Sequence, residues 1–261
     1  MRILFAALLS LCLLATPALA DFNQGKVAYD TKQWREAIAN LRPAAERGDA
    51  RAMVLLGNMY AYGFGVDKDD VEAFLLYRRA AEKDNKEGII ATAAFYQEGR
   101  GVSKNTRLAI EWFERGAKMG DQTCAFFYAI HLYQGSKGDT FDFKPNHAES
   151  YKWFLIASEG TVFPKMAQTS ENMAKQIGEK LNALERAAAE RGAREWRPMS
   201  PAQLGPAPDL ELIENEEPAQ KTDAAEDQTE APAEAAPEDS KEESADAPEK
   251  TEPEPAEKAA E

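Results

Sequence analysis

Apolar residues along this chain recur with a helical period, in blocks that themselves repeat. Between Asp49 and Lys83, residues Ala52, Leu56, Met59 and Tyr60 fall at i, i+4, i+7 and i+8, the buried stripe of a first helix. Ala73, Leu76, Tyr77, Ala80 and Ala81 form the stripe of a second. The stretch Gly57–Ala81 returns thirty-six residues later as Ala93–Ala117, with Tyr96, Gly99, Gly101, Val102, Ala109, Trp112, Phe113 and Ala117 in phase. A third block, about Gln122–Glu159, keeps Ala129 and Gly135, then Ser150, Trp153, Phe154, Ala157 and Ser158. A fixed period of this size predicts stacked helical hairpins, each burying its stripe against its neighbours. The expected fold is all-α: a right-handed solenoid of antiparallel hairpins, closed by C-terminal capping helices and followed by a disordered tail.

The polar positions punctuate these elements. Gly63 and Gly65 end the first helix, where glycine reaches the left-handed region without a Cβ penalty. Asp69 is an N-cap for the second helix, with Glu72 at capping-box spacing, and Asn105 and Asn146 stand at the equivalent points. Gly57, Ala93 and Ala129 occupy one register, so that place demands a small residue for close helix contact. Ser150 follows Ala109 by forty-one residues, which places a five-residue insertion in the loop Gly135–Lys144. Upstream, Trp34, Ala37, Leu41, Ala44 and Ala45 in Phe22–Ala45 read as a worn copy of the repeat, an N-terminal cap. Downstream, Met166, Met173, Ile177, Leu181 and Leu184 trace a stripe, and Asn182 with Glu185 is a capping-box spacing. Two helices are expected there, about 165–180 and 183–196, covering the open end of the stack with Trp196 near their close.

The pattern A-x-A-x3-L-G-x2-Y-x2-G-x-G-V, then a helix with W-[YF]-x2-A-A, resembles the Sel-one-like repeats, relatives of tetratricopeptide repeats. Ala50, Ala52, Leu56, Gly57, Tyr60, Gly63, Gly65 and Val66 carry it in the first block. The second block departs at Thr92 and Ala93, and the third at Leu132 and in its turn. The resemblance covers roughly Phe22–Gly160 and implies a scaffold or adaptor, a type often exported in bacteria. Cysteine-rich relatives linked to β-lactam binding carry a cysteine pair in each repeat. This chain lacks it, so that activity is not implied.

Met1–Ala20 has one basic residue, an apolar run and the ending Ala18-Leu19-Ala20, the features of a cleavable signal peptide. Export to a bacterial periplasm or beyond the cell is therefore expected, with no integral membrane segment after cleavage. The expected division is signal peptide 1–20, partial N-terminal cap 21–48, repeats 49–85, 86–121 and 122–160, capping helices 161–197 and disordered acidic tail 198–261. From Pro198 onward there are 20 acidic and 4 basic residues of the chain's 45 and 31. The preceding part is thus nearly neutral, and nothing in the charge favours nucleic acid. The tail has too few large apolar residues to offset the entropy of ordering.

Candidate chemistry is sparse. Cys124 would be the only cysteine of the mature chain, set among Ala125, Phe126 and Tyr128 like a small core residue. His131 and His147 lack metal-ligand spacing, and no cofactor or metal is expected. The turns GFGV and GRGV lack the ending of a phosphate loop. Asp69 and Asp70 fit a cap and a first helical turn rather than an acid/base pair, and the repeated Trp and Tyr residues fit the core. What varies from repeat to repeat is the inner face of the first helices. There Arg51, Leu55 and Asn58, then Glu87, Ala91 and Ala94, then Thr123, Phe127 and Ile130 fall off the core stripe. Leu55, Phe127 and Ile130 are apolar at those positions, which suggests either a contact site or an extension of the core. Protein partners of unknown identity are expected. An envelope role using the tail as a spacer and an enzyme acting on cell-wall material are the alternatives.

Overall fold

Aspartate and asparagine set where most helices begin. In the computed structural model, which describes residues 22–136, 142–159 and 163–208, the N-caps Asp49, Asp69, Asn85, Asn105, Asp121 and Asn146 each accept from a backbone N–H of the first turn. That satisfies donors a helix start leaves open. Four hairpins result among the described residues: α1 (Phe22–Asp30) with α2 (Trp34–Glu46), α3 (Ala50–Tyr62) with α4 (Asp70–Ala81), α5 (Lys86–Glu98) with α6 (Thr106–Lys118), and α7 (Gln122–Gln134) with α8 (His147–Ser158). Then follow α9 (Pro164–Gly178), α10 (Ala183–Glu195) and the single turn α11 (Pro201–Leu204). The second helix of each hairpin packs on the first helix of the next, and no named strand occurs among the described residues. The fold is the expected all-α solenoid.

Small residues let the helices meet. A Cβ added at Gly57 would lie 2.8 Å from the Tyr77 ring, and one at Gly25 would lie 2.7 Å from Leu41, thirty-six residues before Tyr77. Between hairpins, a Cβ on Gly88 would come 2.8 Å from that of Ala80, and one on Gly116 would collide with the Cys124 sulfur. Cys124 stands thirty-six residues after Gly88, itself thirty-six after Ala52. The cysteine is therefore the seam's small residue in the last repeat, fully buried, and burial pushes its thiol well up from the usual range. Two apolar cores run through the stack, one from Ala28 to Ala80 and one from Ala61 to Ala189, overlapping at α3 and α4.

Three expectations change. The partial N-terminal cap is a complete hairpin, because α1 closes on α2 through a shorter turn. Leu184 does not join the capping stripe; it is 77% exposed at the start of α10, while Ile177 is buried. Disorder from Pro198 is corrected for residues 198–208, which pack back on α6. Trp196 does lie near the close, edge-to-face with Trp153 at 5.8 Å. The insertion loop is pinned at its base by Ser136 and Phe143, which exchange backbone hydrogen bonds of 2.8 and 2.9 Å. The expected signal peptide, and the tail from 209 onward with the second unit Gln220–Glu261, lie outside the described residues.

Candidate functional site

Helix α3 meets both neighbouring first helices, α1 and α5, whereas α2, α4 and α6 do not meet one another to that extent. This fits α1, α3 and α5 as the inner side of the first three hairpins. Arg51, Leu55 and Asn58 lie along α3, Glu87, Ala91 and Ala94 along α5, and Thr123, Phe127 and Ile130 along α7. The three sets differ in how far they reach solvent. Arg51 and Glu87 are exposed, and the other seven are partly buried. Leu55 packs on the edge of the first core, and Ala91, Phe127 and Ile130 on that of the second. Phe127 stacks on Phe113 at 5.1 Å and meets Phe126 edge-on at 5.4 Å. On α7, therefore, these apolar side chains extend the core. On α3 they border a polar surface.

That polar surface is held in place by packed partners, of which Tyr77 is buried. The Tyr77 hydroxyl donates to Asn58 Oδ1 at 2.6 Å, and Asn58 also bonds Tyr29. Burial raises the pKa of both tyrosines, so both hydroxyls remain neutral. Arg51 pairs with the Asp49 carboxylate at 2.8 Å and lies over the Phe22 ring at 4.1 Å. Its hydrogen bond holds the Asp49 carboxyl below its ordinary value. One turn beyond Asn58 is Tyr62, 63% exposed and stacked on Phe64 at 5.6 Å. Phe64 stacks in turn on Trp34 at 4.9 Å, and Tyr29 meets Trp34 edge-on at 5.7 Å. The sequence reading missed Tyr62 and Phe64. Continuing the progression 51, 55, 58 by one turn reaches Tyr62.

Asp70 does more than sit in a first turn. Arg100 of the next hairpin reaches it at 2.6 Å and Lys68 at 3.2 Å, and Arg100 lies over the Phe95 ring at 4.4 Å. Burial pushes the Asp70 carboxyl up, but these two cations outweigh it and leave it lowered. His131 is buried against Phe113, ring centroids 5.9 Å apart, and burial lowers its pKa. His147 lies by Tyr133 at 5.3 Å. Among the described residues no cluster of three or more His, Cys, Asp or Glu could hold a metal ion, and no helix is long and apolar enough to cross a membrane. The surface can offer aromatic faces, amide and hydroxyl hydrogen bonds and a fixed guanidinium.

Comparison with known proteins identifies the repeats. Residues 50–85, 87–121 and 123–161 each match the profile of the Sel1 repeat. An exopolysaccharide production negative regulator of Rhizobium meliloti is 45% identical over 58 residues, 22% of this chain and 22% of that protein. The chain thus matches about a fifth of that relative's length. A protective antigen of uropathogenic Escherichia coli with an SLR fold aligns over 79% of this chain and 42% of its own, with TM-score 0.55 and 19% identity. A Sel1 repeat protein from Oxalobacter formigenes aligns over 66% and 75%, with TM-score 0.49 and 22% identity.

Proposed function

Since the chain carries three Sel1 repeats in one helical stack, we propose that it is an exported scaffold that binds protein through its inner face. Sel1 repeat proteins generally mediate protein–protein interactions. The observation that carries the inner face is the α3 surface, where Arg51, Asn58 and the exposed Tyr62 are fixed from beneath by Asp49, Tyr77 and Phe64. Tyrosine and arginine anchors dominate binding energy at interfaces, and side chains already held in place lose little freedom on binding. The features of Met1–Ala20 support export. The rhizobial relative, a negative regulator of exopolysaccharide production, supports a second reading, regulation of envelope polysaccharide production, in which the bound protein belongs to that machinery.

The chain immobilised on resin and exposed to envelope extract tests the inner face. We expect a retained protein to be lost with Tyr62→Asp and with Arg51→Glu. It should persist with Leu75→Glu, an exposed position on α4. Loss with the α4 variant alone would place binding on the opposite side and sink the reading.

A further inference from the structure

After α10 the chain runs back over the second helices. Pro198 lies against Gly120, and the Met199 N–H donates to the Lys118 carbonyl at 2.8 Å, satisfying an acceptor that α6 leaves open at its end. Ser200 and Gln203 close a capping box on α11. Arg115 Nη1 then donates to the carbonyls of Gly205 at 3.0 Å and Pro206 at 3.1 Å. Ala207 packs at the edge of the second core.

At this place two positions depart from the repeat. The left-handed residue after the second helix is Gly48 (φ +94°) in one hairpin and Gly120 (φ +85°) in another, but Asp84 (φ +58°) between them. Glycine takes that conformation freely, and aspartate is among the few other residues that visit it. The Asp84 carboxylate accepts from Arg115 Nη2 at 2.7 Å and Nε at 3.0 Å. Arg115 is only 8% exposed, whereas Arg79, thirty-six residues earlier, faces solvent. This left-handed aspartate orients a buried arginine, which holds two successive carbonyls of a segment bracketed by prolines.

We propose that residues 198–208 are a latch on the outer side of the stack, and that the Arg115–Asp84 pair is its catch. This inference stands independently of the inner-face reading. Closed, the latch ties the C-terminal helices to the third hairpin and holds Pro208 against α6. It can open without unfolding the stack, because no residue of α11 is buried and a polar cavity of about 200 Å³, lined in part by Glu111, Glu114 and Lys118, remains beneath it. Segments with so little apolar burial open locally at a fraction of global stability. Arg115 keeps Asp84 as the segment leaves, so its charge is paired in both states.

Hydrogen exchange on the full chain tests this. The Met199 amide should be protected in the wild type. Asp84→Gly with Arg115→Met removes the catch, restores the repeat's glycine and leaves no orphaned charge. Met199→Pro removes the one donor to α6. Protection in residues 198–208 should be lost in the double variant, and that of Ser200 in Met199→Pro, with α3 to α8 unchanged. Three results each overturn the proposal: an unprotected Met199 in the wild type, protection that survives both changes, or loss of protection throughout α3 to α8.

Discussion

His131 has burial as the sole cause of its lowered pKa, and that gives the stack a pH dependence. The unfolded chain takes up a proton near the ordinary value of 6.5, and the folded chain resists it. Above 6.5 both states are neutral and stability is unaffected. As pH falls through 6.5 toward the folded value, the unfolded state binds more protons and stability is lost, by at most about 1.4 kcal/mol per pH unit. Urea unfolding at several pH values between 7.5 and 5.5 should show this decline, and His131→Phe should flatten it. An unchanged slope in the variant would assign the decline to other groups. Thr92 shows another cost of a polar core residue. It stands where Leu56 stands one repeat earlier, and its hydroxyl, like the Trp112 indole N–H, is buried with no hydrogen-bond partner among the described residues. Each such group gives up water without replacement.

At the scale of elements, the two glycines of each turn have different reasons. Gly99 ends α5 in the left-handed region at φ +74°, as Gly63 ends α3 at φ +71°. Gly101 has φ +60°, and a Cβ there would also run into the Asp70 carbonyl of the preceding hairpin. Gly65 abuts the Cβ of Trp34, thirty-six residues before Asp70. Gly99→Ala should therefore cost roughly 1–2 kcal/mol from backbone conformation alone. Gly101→Ala should cost a further 1–3 kcal/mol or so, since backbone must move to admit the methyl. Equal losses in urea titrations would mean that the close approach carries no strain. These turns, the caps and the small-residue seam were legible in the sequence because each depends on local chemistry repeated in phase. Helix α1 was not: it buries only Gly25 and Ala28, so no apolar stripe announces it, and Gln33 gives α2 no side-chain cap. The segment 198–208 was hidden for a related reason. Its hold comes from Arg115, more than eighty residues away, and its own composition reads as coil. Of the candidate site, spacing placed its residues along α3, α5 and α7, but it could not show that Phe127 leans on Phe113 while Tyr62 stands clear.

For the whole molecule, stability in such a stack is a sum over neighbours, so damage at one end should stay there. The two cores give this a geometric form. Met53, Leu56 and Met59 of α3 belong to the core shared with α2, while Trp112, Phe113 and Phe154 belong to the other. Removing residues 22–48 would bare the first set and leave the second covered. Hydrogen exchange on that shortened chain should show protection lost in α3 and reduced in α4, which takes part in both cores, with α6 to α8 keeping theirs. A uniform loss along the chain would show instead that the hairpins fold as one cooperative body. In that case the inner face could not vary from hairpin to hairpin without cost to the whole, and the contrast between the polar α3 surface and the core-bound α7 surface would need another cause.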